Sequence, residues 1–141
     1  MNERFDKANN VQNIVGKKSE KDLANFLQTM GYWAYNCPKT VNGQPCDIIA
    51  CKDNKVWLLD SKHLEKNKAS FSIERIEPNQ WTAMDYAREL ANVQNLGFAI
   101  YWERTGDFYF LSYDDALKAH SGNEKSIKIE SLLTLWEEIS K

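Results

Sequence analysis

The apolar positions of this chain change period several times. Leu23, Phe26, Leu27 and Met30 recur at three- and four-residue spacing and stop at Gly31, which predicts an amphipathic helix of about three turns. Ser19 with Asp22 three residues later supplies its start signal. Tyr32-Trp33-Ala34-Tyr35 is rich in strand formers and leads through Asn36-Cys37-Pro38-Lys39 into a polar loop that ends Asn42-Gly43-Gln44-Pro45. Two further strands follow, Cys46-Asp47-Ile48-Ile49-Ala50-Cys51 and Val56-Trp57-Leu58-Leu59-Asp60-Ser61-Lys62, joined by a tight turn. The run Val56–Leu59 is apolar without alternation, as expected of a central strand covered on both faces.

Residues 63–72 are polar, carry Lys66 and Lys68, and read as an exposed loop. Pro78-Asn79-Gln80 opens a second helix, with Met84, Ala87, Leu90 and Ala91 as its core-facing stripe, ending near Asn95-Leu96-Gly97. Phe98–Trp102 and Phe108–Leu111 form a hairpin across Thr105-Gly106-Asp107. A short helix is expected at Asp114–Ala119, a polar loop at His120–Lys125, and a last helix near Glu130–Ser140 with Leu132, Leu133, Trp136 and Ile139 as its stripe. The order α-β-β-β-α-β-β-α predicts an α/β fold, a central mixed sheet flanked by helices. Residues 1–15, with Asn9, Asn10, Gln12 and Asn13, read as a mobile arm, and residues 16–141 as one domain. Trp33, Trp57, Trp81, Trp102 and Trp136 sit on element faces and are assigned to the core rather than to base stacking.

With 43% hydrophobic and 12% aromatic residues, the 141-residue chain can bury a core, which excludes intrinsic disorder. The formal charge of −2 excludes a uniformly basic coat. Its distribution places any basic surface toward the N-terminal half. Cys37, Cys46 and Cys51 have no CxxC spacing, and His63 and His120 do not complete a zinc pattern, so the thiols read as buried in a reducing compartment. No apolar run approaches the roughly 18 residues needed to cross a bilayer, and the polar start lacks a signal-peptide core. A cytoplasmic protein without a membrane partner is expected.

The tight turn carries the chemistry. If it is centred between Asp53 and Asn54, Lys52 faces Lys55, Cys51 faces Val56, and Asp47 faces Asp60. Carboxylates directly opposite one another repel, and without a cation one would have its pKa raised by the other. A divalent metal relieves this, and oxygen ligands suit Mg²⁺ or Mn²⁺. Such an ion can activate water and neutralise charge on a phosphoryl group. Lys62 shares a strand face with Asp60 and can meet the scissile phosphate or orient the attacking water. The reaction class implied is metal-assisted phosphodiester hydrolysis. Lys17, Lys18 and Lys39 are candidate contacts to DNA phosphates. An isolated D-x-K triplet is usually a strand-end ion pair, but here Asp47 stands in matching register, Pro45 precedes it, and Glu20 and Gln80 begin flanking helices.

Pro45-Cys46-Asp47 with Asp60-Ser61-Lys62 resembles the PD-(D/E)xK nuclease signature, with Glu20 at the helix-borne acid position. Phe71-x-Ile73-x-x-Ile76-x-x-x-Gln80 resembles the RecU type of Holliday junction resolvase, and Asp47-Ile48-Ile49-Ala50 resembles the archaeal type. The resemblance implies a restriction-endonuclease-like core and a Mg²⁺-dependent endonuclease acting on branched or four-way DNA as a homodimer. It also implies that Glu20, Asp47 and Asp60 bind metal, Lys62 assists catalysis, and Gln80 positions water or phosphate. Asp60 stands where glutamate is more usual, and the segment from Lys39 to Asp47 is too short for the RecU stalk, so a compact, stalk-less member is implied. Two alternatives remain: a restriction- or repair-type nuclease on the same core, and a non-catalytic DNA-binding module.

Overall fold

The structure, a computed structural model, describes residues 20–38, 44 and 46–141. Lys17, Lys18, Ser19, Lys39 and Pro45, and the arm expected over residues 1–15, lie outside the described residues. Residues 20–29 are helical (α1), followed by β1 (Trp33–Asn36), β2 (Ile48–Lys52), β3 (Lys55–Leu64), β4 (Ser70–Ser72) and a 3-10 turn at Ile73–Arg75. Then come α2 (Pro78–Ala91), β5 (Asn95–Trp102), β6 (Asp107–Ser112), α3 (Tyr113–Ser121), β7 (Ser126–Lys128), a 3-10 turn at Ile129–Ser131 and α4 (Leu135–Ile139).

Five strands form one mixed sheet in the order β1-β2-β3-β5-β6, in which only the β3–β5 pair is parallel. The expected α/β architecture is therefore present. Asp53 and Asn54 both take left-handed backbone angles, φ 50° and 65°, which Asp and Asn tolerate well. This two-residue turn sets Lys52 opposite Lys55, Cys51 opposite Val56, and Ile48 opposite Leu59, the register read from the sequence. The side chains of β3 and β5 serve two cores. Leu58, Leu64, Phe98, Ile100 and Trp102 pack with Met84 of α2 and with Tyr113, Ala116 and Ala119 of α3. Trp57, Leu59 and Ala99 pack on the other face with Leu23, Ala24 and Leu27 of α1 and with Leu135. Among the described residues, no helix is long and apolar enough to cross a membrane.

Several expectations are corrected. β3 continues through His63 and Leu64, and the loop expected at 63–72 ends in β4, which pairs with β7 as a second, two-stranded sheet. Each of these three-residue strands puts one apolar side chain inward, Phe71 or Ile127, too few to show a period. The last helix is shorter than expected and its buried residue is Leu135, while Leu133 and Trp136 are exposed. Its start is set by Thr134, whose side chain and that of Glu137 form a reciprocal capping box. Leu90, expected in the stripe of α2, is 81% exposed, and the buried face of that helix is Trp81, Met84 and Ala87. Of the five tryptophans, Trp57 and Trp102 are buried and Trp81 is half-buried, but Trp33 is 61% and Trp136 51% exposed. Trp33 lies on the edge strand β1, stacked on Tyr35 with 2° between the ring planes.

Candidate active site

The ladder between β2 and β3 ends at Ile48 and Leu59, and there the chain bends at Asp47. The Asp47 N–H lies 3.1 Å from both the Leu59 carbonyl and Asp60 Oδ1, while the Asp47 carbonyl accepts from Cys37 N at 2.8 Å. Main-chain N–H groups of alternate β3 residues face β2, so the N–H of Ser61, one step past the last rung, has lost its strand partner. Asp47 Oδ2 takes it at 2.8 Å. Each aspartate thus holds the backbone beside the other at the fork where the two strands part. The sequence places Asp47 opposite Asp60, and the structure brings them together one residue beyond the regular ladder.

Asp60 is the one buried charged residue among the described residues, at 3% exposure. Its Oδ2 is buried and has no hydrogen-bond partner among the described residues. Burial, and next the Asp47 carboxylate, push its pKa up to about 7, against the opposing pull of Lys62. Glu20, in the first turn of α1, is near enough for its charge to add to that rise.

Lys62 follows two residues along β3 and therefore shares the Asp60 face, the side covered by α2. Its Nζ donates to Gln80 Oε1 at 3.0 Å and to the Arg75 carbonyl at 3.2 Å. Burial pulls its pKa below the usual lysine value, while Asp60 opposes this and Arg75 adds to it. Gln80 is placed by its own helix end. Glu77 caps α2: its carbonyl accepts the Gln80 N–H at 2.9 Å, and Gln80 Oε1 accepts the Glu77 N–H at 3.0 Å. One amide oxygen therefore ties the helix start to the lysine. The Arg75 contact was not foreseen from the sequence, although the Phe71–Ile76 segment that carries it was singled out.

The donor set fits a hard divalent cation: two adjacent carboxylates, one with a buried oxygen that has no partner among the described residues, in a place where a second negative charge is costly. Among the described residues, no three His, Cys, Asp or Glu side chains form a set that could hold a metal ion. An ion here would complete its shell with waters, main-chain or substrate oxygens, as Mg²⁺ commonly does.

No protein-family model and no curated protein matches the chain. Among solved structures, it is similar to that of Archaeoglobus fulgidus Hjc, described as a Holliday junction resolvase from an archaeal hyperthermophile. The two are 18% identical with a TM-score of 0.60, over 89% of this chain and 96% of that one. The chain has the restriction-endonuclease-like fold. This bears out the fold implied by the PD-(D/E)xK resemblance. Within that core, Asp47, Asp60, Lys62 and Gln80 meet where β2 leaves β3 and α2 begins. The region beyond the last β2–β3 rung is where side chains rather than a neighbouring strand must satisfy the backbone.

Proposed function

We propose that this chain is a divalent-metal-dependent DNA endonuclease of the Holliday junction resolvase kind, acting as a homodimer on branched or four-way DNA. The observation that carries the reading is the buried, partnerless oxygen of Asp60 beside Asp47, with Lys62 anchored on the same strand face. Asp47 and Asp60 would hold Mg²⁺ or Mn²⁺, with Glu20 as a further acid at the start of α1. Such an ion, when bound, would supply an activated water and offset charge on the phosphoryl group. Lys62 carries three donors, and with two of them committed to Gln80 and Arg75 one N–H is left that would serve a phosphate oxygen or the attacking water. Gln80 positions Lys62 through its oxygen. Lys17, Lys18 and Lys39 would contact flanking phosphates. The dimer is carried over from the resemblance alone, and the four-way junction from the resemblance and from the Holliday junction in the description of Hjc.

The test is to incubate the protein with labelled four-way junction, duplex, flap and single-stranded DNA in Mg²⁺ or Mn²⁺. Metal-dependent cleavage with a preference for the junction is expected. Absence of cleavage on every substrate, or cleavage undiminished in Asp60→Ala, would sink the proposal. A duplex preference would favour the restriction- or repair-type reading, and metal-independent binding without turnover a binding module.

A further inference from the structure

Cys37 and Cys46 lie nine positions apart in sequence with their sulfurs 4.0 Å from each other. Both are buried, yet neither belongs to the two hydrophobic cores that flank the sheet. They pack against each other at the end of β1, beside the fork that carries the aspartates. Cys37 N donates to the Asp47 carbonyl at 2.8 Å, and Cys46, which immediately precedes Asp47, directs its thiol to the Ile48 carbonyl at 3.3 Å. Cys51 is not part of this contact; its side chain belongs to the row of Trp33 and Val56.

We propose that Cys37 and Cys46 are an oxidisable dithiol that a small-molecule disulfide converts to an intramolecular bond, tying β1 to the residue before Asp47. Cys37, the less buried of the two, attacks first. Its thiolate forms a mixed disulfide and expels one thiol. The Cys46 sulfur then attacks the Cys37 sulfur and expels the second. Two protein thiols lose two electrons and two protons, and the reagent disulfide gains them as two thiols. A disulfide has its sulfurs about 2.05 Å apart, so this pair closes by about 2 Å. That contraction acts on the neighbour of Asp47, whose main chain and carboxylate both hold the fork, and misplacement of a reacting group by about 1 Å can cost 100-fold in rate. The bond is accordingly an off-switch. Its effect on cleavage rests on the nuclease reading, whereas its formation does not.

The full chain is incubated with graded mixtures of oxidised and reduced glutathione, quenched with iodoacetamide, and followed by intact mass, a non-reducing peptide map and junction cleavage in Mg²⁺. The expected product is a monomeric chain that has lost two hydrogens, with Cys37 linked to Cys46 and Cys51 alkylated. Cleavage should fall at least tenfold and return with dithiothreitol. Cys37→Ser should fold, judged by circular dichroism, cleave as the reduced protein does, and resist the glutathione mixture. Alkylation of all three cysteines, a bond that includes Cys51, or a lasting glutathione adduct on Cys37 would overturn the site. A Cys37–Cys46 bond with unchanged cleavage would overturn the switch. If the reduced protein cleaves nothing, the nuclease reading fails, while the mass and peptide map still decide whether the bond forms.

Discussion

Burial and the adjacent Asp47 carboxylate raise the pKa of Asp60 from 3.8 to about 7. Between those two values the folded chain keeps a proton that the unfolded chain has released, so stability falls as pH rises through this window and levels off above about pH 7. A shift of roughly three units corresponds to a loss on the order of a few kcal/mol. In chelator, thermal melts should therefore show lower stability at pH 8 than at pH 5. Asp60→Asn keeps the acceptor for the Asp47 N–H and removes the charge. That variant should melt higher than the parent at pH 8, with a flattened pH dependence, and its cleavage should drop by about 100-fold or more. Mn²⁺ should raise the melting temperature of the parent but not of the variant. A parent protein equally stable at pH 5 and pH 8 without metal would contradict the burial argument.

At the scale of elements, what was legible in the sequence was local. The Asp53-Asn54 turn sets the β2–β3 register within a few residues, so the meeting of Asp47 and Asp60 could be read before any fold was known. The Gln80 position was legible for a similar reason, since helix starts are marked by Pro and by capping pairs. The failures have a common cause. Leu132 packs on the α2 face of the sheet and Leu135 on the α1 face, so the segment from 129 to 139 serves two cores and has no single helical stripe. Likewise, the Cys37–Cys46 contact depends on β1 pairing with β2, and the Lys62–Gln80 bond on how α2 crosses the sheet. Close strand packing was also invisible: a Cβ at Gly97 would collide with the Leu111 carbonyl and crowd the Phe110 ring. Because the obstacle is backbone, Gly97→Ala should separate β5 from β6 and destabilise the protein by about 1–3 kcal/mol, measured by urea unfolding. Leu90→Ala in the exposed last turn of α2 is the matched control and should stay within about 0.5 kcal/mol of the parent.

At the scale of the whole molecule, the two-stranded sheet joins distant parts of the chain. β4 leads directly into the Ile73–Arg75 turn, whose Arg75 carbonyl holds Lys62, and its partner β7 leads into Ile129 in the same core. Further links are the Ile73 N–H on the Lys125 carbonyl at 2.9 Å and the Ile129 N–H on the Ala69 carbonyl at 3.0 Å. The amides of residues 70–76 and 126–132 should therefore exchange with deuterium as one unit. Ile127→Asp should speed both segments together and leave the β1–β2 amides protected, and independent exchange of the two segments would show that the small sheet is not a cooperative clasp. The same pairing sets an order of events during synthesis. When Lys62 and Gln80 leave the ribosome, the strand that secures the turn between them has yet to be made, and it follows only after some 45 more residues, seconds later at about 5–20 residues per second. Until then the lysine lacks its finished socket, so a nascent chain carries both aspartates and Lys62 before the contacts that fix the lysine are complete.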